Sequence, residues 1–259
     1  MRGVILNILY YHLRSFIILT GIFLLISSCS DNPTNSKPNL LNCLEFDGDN
    51  DLVVVDDSPS LDISQQITIS VWFYNPGNFS GEPGLIQKDG PGSWGRYGLW
   101  VTNDKIDFCI FIDGGSQVCL LSTQSLTQNK WHHIAGVYDG SKMVIYIDGS
   151  VAGETNLSGN ISTSDNKLYI SSDPTESNAL PSRIREVSLW NKARTQAEIQ
   201  NEMNNSLTGT ENGLVLYLKM NEGSGQVVSD KSGMGNHGQL GLNASTDDSD
   251  PKWIQIEWP

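Results

Sequence analysis

The stretch that decides the fold runs from Asn129 to Gly153 and reads NKWHHIAGVYDGSKMVIYIDGSVAG. Apolar side chains alternate along it with polar or small ones, which is the period-two pattern of half-buried β-strands. Two Asp-Gly pairs, Asp139-Gly140 and Asp148-Gly149, interrupt the alternation, and Asp-Gly is a strong signal for a tight hairpin turn. The stretch therefore predicts a small meander of consecutive antiparallel strands.

Two adjacent histidines in this stretch, His132 and His133, raise the question of metal binding or proton chemistry. Neighbouring side chains on a strand point to opposite faces, so the two imidazoles cannot easily chelate one ion together. His133 shares a face with Trp131, and His132 shares the other face with Ile134. We expect both to be ordinary strand residues, one half-buried and one exposed.

The rest of the chain repeats the same pattern. Short alternating runs recur from QITISVWF to LVLYLKM, and clusters rich in Gly, Asp and Asn separate them. Many short strands with such turns are typical of an all-β protein, and we expect an antiparallel two-sheet β-sandwich. One helix stands out at about 196–203, because Thr195-Gln196-Ala197-Glu198 is a capping-box pattern.

The start of the chain resembles an export signal. Arg2 and Arg14 are the only charged residues before Cys29, and an apolar run, FIILTGIFLLI, follows them. The run is shorter than the roughly 20 apolar residues of a membrane span, although a plain signal peptide or an anchor helix is an alternative. Ile26-Ser27-Ser28-Cys29 resembles the bacterial lipobox, in which the cysteine is lipidated and becomes the mature N-terminus.

These observations predict a division of the chain into a lipoprotein signal peptide (1–28), a polar tether that begins at lipidated Cys29 (29–39) and one folded domain (40–259). A lipid anchor would hold the domain on a membrane without any spanning helix. Ser30 and Asp31 resemble the acidic export tags of some surface lipoproteins. We therefore expect a bacterial envelope protein, in the outer membrane and exposed at the surface.

The chain is acidic, with a formal net charge of −13. Removal of the predicted signal takes away Arg2 and Arg14, which leaves the mature chain at −15. Such a surface argues against nucleic acid and anionic lipid headgroups as partners. It suits calcium binding or simple solubility, and does not separate the two.

The cysteines are few. Cys109 and Cys119 flank a turn centred on Gly114 in DFCIFIDGGSQVCLL. A hairpin there would place them opposite each other, and the oxidising envelope compartment favours a cross-strand disulfide; two buried thiols are the alternative. Cys43 would then be left over as a small core residue.

Four blocks of the sequence resemble the laminin-G-like domains of the concanavalin A-like lectin/glucanase superfamily, which are related to pentraxins. They follow the family order: LEFDGDNDLVVVDDSPSLDISQQITISVWF (Leu44–Phe73), NKWHHIAGVYDGSKMVIYIDGSVAG (Asn129–Gly153), RIREVSLWNKARTQAEI (Arg183–Ile199) and GLVLYLKMNEGSGQVVSDKSGMGNHGQL (Gly213–Leu240). The resemblance spans nearly all of the predicted mature chain. It implies a concanavalin A-like jelly-roll sandwich.

The sequence lacks the catalytic motif that glucan-hydrolysing relatives carry. Relatives that hydrolyse glucans carry E-x-D-x-x-E on one strand, which supplies a nucleophile and an acid/base, and this spacing does not occur in the sequence. The sequence also contains no G-x-S-x-G elbow and no H-E-x-x-H zinc helix. We therefore expect a non-catalytic protein, with a polysaccharide-degrading enzyme as a distant alternative.

Calcium is the cofactor that the resemblance implies, and two ligand sets are open. One set is pentraxin-like and built from rim loops, with the ligands Asp89, Asp173, Glu176 and Asn178. The alternative set ties the ends of the domain together, with Asp47 or Asp51 from the first block and Asp230 or Asn236 from the last block as ligands. Both offer the hard oxygen ligands that calcium prefers, although Asp and Asn are also common turn residues.

The expected ligand is a glycan. Trp94 lies in the glycine-rich GPGSWGR, where an exposed ring could stack on a sugar face, and Arg96 and Asp89 could add polar contacts; Trp94 could equally plug the core. Trp72, Trp131 and Trp190 fall in strand patterns and are expected in the core. We therefore predict carbohydrate binding or adhesion, with protein–protein interaction in a surface complex as the alternative.

Overall fold

Two antiparallel sheets of eight strands each make up the part of the chain that the computed structural model describes, which comprises residues 39–77, 81–89, 96–173 and 179–258. The expected two-sheet sandwich is confirmed. In the first sheet, neighbouring strands run in the order β10 (Ser150–Asn156), β9 (Lys142–Ile147), β8 (Lys130–Tyr138), β3 (Ile67–Asn75), β12 (Ser182–Trp190), β1 (Leu40–Phe46) and β16 (Lys252–Glu257), and β13 (Leu214–Leu218) also pairs with β12.

The second sheet follows the same antiparallel rule. Its order is β14 (Val227–Val228), β15 (Gly238–Leu240), β2 (Val53–Val55), β11 (Leu168–Ile170), β4 (Gly84–Lys88), β5 (Tyr97–Thr102), β6 (Lys105–Phe111) and β7 (Gln117–Leu121). The predicted meander from Asn129 to Gly153 is present as β8, β9 and β10.

The core lies between the sheets, because each strand turns its aliphatic face inward. Ile69 and Val71 of β3 face the core, and so do Leu99 of β5 and Phe108 of β6. The sheets approach closely at Gly136, where a Cβ atom would lie 2.8 Å from the Phe108 ring. Among the described residues, side chains from Leu44 to Leu240 supply this core.

The helix α1 (Gln196–Asn204) covers part of the outer face of the first sheet. It begins as predicted, since the Thr195 side chain accepts from the Glu198 main-chain N–H and the Glu198 carboxylate accepts from that of Thr195. Its buried Ile199 packs on an outward cluster from β8 and β9, namely Ala135, Val137, Val144 and Tyr146. No helix among the described residues is long and apolar enough to cross a membrane.

A buried ion pair fastens α1 to the sheet below it. Arg194 donates from Nη1 to the Glu202 carboxylate, and the two side chains are each 6% exposed. The hydroxyls of Ser70 and Ser188 both donate to Glu202 Oε1 at 2.5 Å. Trp190 donates from Nε1 to Ser188 Oγ at 2.9 Å and lies under the Arg194 guanidinium. Arg194 neutralises the Glu202 carboxylate, which also accepts from both serines, so the pair can stay buried.

An aromatic layer covers the remainder of that outer face. Trp258 follows β16 and packs against Trp72 and Trp131, with ring centroids 4.9 Å and 5.3 Å apart. The Arg185 guanidinium carbon lies 4.4 Å from the centre of the Trp258 ring. The two ends of the domain therefore meet here, since Leu40 of β1 pairs with Glu257 of β16.

The two histidines lie on opposite faces as expected, but the expected exposure of their side chains was wrong. Both are buried, His132 at 3% exposure and His133 at 1%. His132 Nδ1 is 2.9 Å from Asp148 Oδ2, and its Nε2 accepts from the Thr127 main-chain N–H at 3.1 Å. His133 lies edge-on to Trp72, at 5.3 Å between ring centres, because the outer face of this sheet is itself covered.

Burial makes His133 sensitive to acid. Burial lowers the pKa of this imidazole to about 4, aided by Arg194 and opposed by Asp148. As the pH falls from about 6.5 to about 4, the unfolded chain binds a proton that the folded chain does not, so folding loses up to about 3 kcal/mol. Asp51 opposes this trend, because burial raises the pKa of its carboxyl to about 6.

We therefore expect His133→Phe to retain more stability than the unmodified domain as the pH falls through this window. The substitution keeps an aromatic ring beside Trp72 and removes the titrating group. Urea denaturation at a series of pH values measures the difference, in which the opposing contribution of Asp51 cancels. Equal losses of stability in both proteins would contradict the role of His133 in acid sensitivity.

Candidate functional site

The outer face of the second sheet carries the candidate site, and the strand register decides which side chains meet there. Gly98 of β5 lies opposite Gln87 of β4 on one side and Cys109 of β6 on the other. Cys109 in turn lies opposite Cys119 of β7. In the next outward row, Trp100 lies opposite Asp107. Alternation along each strand therefore brings residues distant in sequence onto one surface.

These rows form the floor of a groove of about 410 Å³, which we call the outer-face groove. Its volume lies within the usual range of small-molecule sites. The described residues that line it come from four neighbouring strands and the ends of their loops: Glu82, Gly84, Gln87, Asp89, Trp100, Asp107, Cys109, Gln117, Cys119 and Asp173.

Gly98 gives the groove its shape. A Cβ atom at this position would lie 2.8 Å from Cη2 of Trp100 and 2.5 Å from the Ile86 main-chain oxygen. Trp100 is two residues further along the strand, so its ring must lie down along the sheet to reach Gly98. The ring is half-buried, which leaves an aromatic surface at the edge of the groove floor.

A disulfide closes the other side of the floor. Cys109 and Cys119 are bonded across β6 and β7, with their Cα atoms 4.1 Å apart. The predicted bridge is confirmed, and so is the turn at Gly114, whose φ is 66°. Cys43 is a free, fully buried thiol, as expected. Because both cysteines are in the disulfide, their proximity to Asp107 is not a thiolate metal site.

Carboxylates dominate the electrostatics of the groove. Every charged side chain among the described lining residues is acidic: Glu82, Asp89, Asp107 and Asp173. The pKa of Asp107 is raised by burial and by the nearby charge of Glu82. Its buried Oδ1 accepts no hydrogen bond within the described part of the protein.

Two further side chains complete the polar wall. Gln87 is 1% exposed and donates from Nε2 to the Ser172 main-chain oxygen at 2.9 Å, which fixes its amide beside Gly84. Tyr169 of β11 lies opposite Gln87 in the register and is half-buried on the same face. Burial raises the pKa of the Tyr169 hydroxyl, and Asp89 contributes to this shift.

Of the three predicted ligand-binding residues, the structure places one in the groove. Asp89 lines it. Arg96 lies beyond the Gly98 row, where its guanidinium carbon is 5.2 Å from the centre of the Phe111 ring. Trp94 lies outside the described residues. The prediction missed Trp100, although YGLWV contained a signal for it: a glycine two residues before a tryptophan, on the same face of a strand.

The first predicted calcium set is partly assembled. Asp89 and Asp173 both line the outer-face groove, and carboxylate oxygens suit calcium. Glu176 and Asn178 lie outside the described residues. The structure thus describes two of the four predicted ligands, and calcium binding by this set stays a prediction.

The alternative set is not brought together as one site. Val53 of β2 pairs with Leu240 and Val55 pairs with Gly238, so Asp51 and Asn236 extend beyond opposite ends of this ladder. Asp47 stays with Asp51, whose Oδ2 accepts from the Asp47 main-chain N–H at 2.8 Å. Asp230 stays with Asn236, because its carboxylate accepts main-chain N–H groups from three residues, Tyr217, Ser232 and Asn236. Asp47 and Asp51 therefore lie at the opposite end of the ladder from Asp230 and Asn236.

Another depression, of about 440 Å³, lies on the outer side of the first sheet beside Tyr74, Trp131 and Arg183. Its polar groups are largely engaged, since Arg183 donates from Nε to Glu45 at 2.8 Å and also lies over the Tyr74 ring. Trp131 is only 9% exposed. Tyr74 is half-buried, like Trp100 of the outer-face groove, but the Arg183 guanidinium lies over its ring.

A laminin-G family model, described as concanavalin A-like lectin/glucanases superfamily, matches residues 47–200, which is more than half of the chain. The chain belongs to this superfamily. The resemblance inferred from the four sequence blocks is thereby confirmed. A search of curated proteins found no match.

Members of this superfamily and related folds appear among solved structures. A "putative carbohydrate binding protein" from Bacteroides ovatus aligns with a TM-score of 0.63 and 19% identity, over 82% of this chain and 61% of that one. The botulinum neurotoxin serotype G binding domain aligns with a TM-score of 0.51 and 13% identity, over 62% of this chain and 42% of that domain. Domains LG4-5 of the mouse laminin alpha1 chain align with a TM-score of 0.48 and 16% identity, over 60% of this chain and 44% of the laminin chain.

At these identities the similarity concerns the fold. The chain spans about 61% of the length of the Bacteroides ovatus protein and less than half of the other two.

The disulfide in the groove floor yields a stability prediction. Replacing both Cys109 and Cys119 by serine should lower the free energy of unfolding by about 2–3 kcal/mol, because the unfolded chain regains the freedom of a loop of ten residues. Chemical denaturation measures this, and thiol titration confirms the bridge in the unmodified protein. Cys43→Ala is the control that leaves the bridge intact. An unchanged free energy in the double variant would contradict the prediction.

Proposed function

We propose that this domain is a non-catalytic carbohydrate-binding module whose ligand lies in the outer-face groove. The observation that carries the proposal is the Trp100 ring, which lies along the groove floor beside the polar groups of Gln87, Asp107 and Asp173. A ligand site needs apolar surface together with a few fixed polar groups, and this groove offers both.

The chemistry of a saccharide matches this combination. One face of a pyranose ring presents C–H groups that can pack on an aromatic ring, and its edges present hydroxyls. Asp107 and Asp173 would accept hydrogen bonds from those hydroxyls. Gln87 is already oriented by its bond to Ser172, so little side-chain freedom would be lost when a ligand binds.

The relatives agree with this proposal at a coarser level. The family is described by its lectins and glucanases, and the Bacteroides ovatus protein is named for carbohydrate binding. Because one fold hosts many functions, the function of this chain depends on its own groove residues.

Substitution of the aromatic platform tests the proposal. Trp100→Ala should weaken binding of the best ligand from a glycan array by about tenfold or more, because the stacking surface is lost. Trp253→Ala is the matched control, since Trp253 lies in β16 of the opposite sheet. Isothermal titration of residues 30–259 measures both, with thermal unfolding to confirm that the variants fold. Equal affinities for Trp100→Ala and the unmodified domain would sink the proposed location.

A calcium ion held by Asp89 and Asp173 is the finer part of the proposal. It would add a cation at the loop end of the groove, where it could order the rim and bind sugar hydroxyls. We expect calcium titration of the metal-free domain to give a saturable signal that Asp173→Asn weakens about tenfold or more. Asp56→Asn, at an exposed position of the same sheet, should leave it unchanged. No saturable signal would rule out this part of the proposal.

We also propose that lipidated Cys29 anchors the domain to the bacterial envelope. The lipobox and the polar tether support this, and β1, which the tether precedes, belongs to the sheet opposite the groove. Cys29→Ser should shift the protein from the detergent-soluble membrane fraction to the soluble fraction and abolish incorporation of labelled fatty acid. Protease treatment of whole cells would then report surface exposure. Labelling that persists in Cys29→Ser would contradict the anchor.

The array and the titrations also address the alternative functions. Release of new reducing ends from a bound polysaccharide would favour an enzyme over a binding module. Binding of a purified envelope protein, with no glycan bound by a folded domain, would favour protein–protein interaction.

A further inference from the structure

We propose that the outer-face groove selects saccharides that carry a free amino group over their N-acetylated or uncharged counterparts, and that it rejects anionic saccharides. This selectivity rests on the proposed carbohydrate binding. It follows from the charge of the groove and from one Asp107 carboxylate oxygen that accepts no hydrogen bond from the described residues.

The charge of the groove is one-sided. Its four charged residues among the described lining are carboxylates. Lys105, two residues before Asp107 on β6, is not among the described lining residues. Two other nearby cations, Lys88 and Arg96, are engaged elsewhere. Lys88 is fully buried and donates to Asp57 and to the Asn166 main-chain oxygen. Arg96 lies over the Phe111 ring. The sequences of 90–95 and 174–178, GPGSWG and PTESN, contain no lysine or arginine that could neutralise the groove.

Asp107 supplies the specific contact. Its Oδ1 is buried and accepts no hydrogen bond within the described protein, although carboxylate oxygens in such a setting are normally paired. The register places Asp107 directly opposite Trp100. A sugar ring packed on Trp100 would therefore hold its substituents next to the Asp107 carboxylate, which lines the groove.

An ammonium group matches that position better than a hydroxyl or an acetamide. It donates up to three hydrogen bonds and carries the positive charge that Asp107 and neighbouring Glu82 attract, so the resulting bond is charge-assisted. N-acetylation removes the charge and two of the donors. In the metal-free domain, a uronate or sulfate would face four carboxylates in the groove, which opposes its binding.

The test compares short oligosaccharides of one length: oligoglucosamine, oligo-N-acetylglucosamine, cello-oligosaccharide and oligogalacturonate. Isothermal titration is run on residues 30–259 at neutral pH in EDTA, so that a bridging metal does not contribute. We expect oligoglucosamine to bind about tenfold more tightly than its acetylated counterpart, since a charged hydrogen bond exceeds a neutral one by about that factor. Oligogalacturonate should bind most weakly, and added salt should narrow the differences.

Three variants separate the groove from the general acidity of the domain. Asp107→Asn, which is nearly isosteric, should bring the ratio between the amino and acetylated ligands close to one while retaining binding of the uncharged ligand. Glu82→Gln should reduce the ratio in part. Glu154→Gln removes the same charge from an exposed position on β10 and should leave the ratio unchanged. Thermal unfolding confirms that each variant folds.

Each outcome decides the question. Equal or weaker binding of oligoglucosamine, while binding of an uncharged ligand still depends on Trp100, overturns the selectivity and leaves carbohydrate binding in place. A full amine preference in both Asp107→Asn and Trp100→Ala also overturns it, because the attraction then arises from overall charge. If no oligosaccharide binds a folded domain, carbohydrate binding of these classes fails together with the selectivity.

Discussion

A β-strand has two faces, and this constraint governs the whole molecule. Each strand of the sandwich turns one set of alternate side chains into the shared core, from Ile69 and Val71 on the first sheet to Leu99 and Phe108 on the second. The other set of alternate side chains lies on the outer face of each sheet, where it can serve a different purpose. On the first sheet that set is covered by α1 and by the Trp72–Trp131–Trp258 layer, whereas on the second sheet it forms an open groove.

The groove therefore owes its shape to small local choices on one sheet. Gly98 lacks the Cβ atom that would hold the Trp100 ring away from the sheet, and the Cys109–Cys119 bridge makes a flat floor beside it. Carboxylates occupy the remaining polar positions, at some cost in mutual repulsion. We propose that a ligand offsets this cost at Asp107, whose Oδ1 accepts no hydrogen bond from the described residues.

Local rules of sequence predicted most of the fold. Alternation and the Asp-Gly pairs predicted the meander β8–β10, the capping box predicted α1, and the spacing around Gly114 predicted the disulfide. These features depend on residues close in sequence. The two histidines were harder, because alternation predicts which face a side chain takes and cannot reveal that a helix and a distant Trp258 cover that face.

The site was less predictable for the same reason. Trp94 attracted attention because it lies in a loop, but Trp100 is the ring that the structure places in a groove, and its role needed the register of β4, β5 and β6. The structure does not bring Asp47 or Asp51 together with Asp230 or Asn236, because the first and last blocks of the family pattern place these residues at opposite ends of one β-ladder.

A crystal structure of the domain with the tightest-binding oligosaccharide tests the central claim most directly. We expect a sugar ring packed on Trp100, with the polar groups of the sugar within hydrogen-bond distance of Asp107. A ligand bound instead beside Tyr74 and Trp131 on the opposite sheet, or only at the loops, would contradict it.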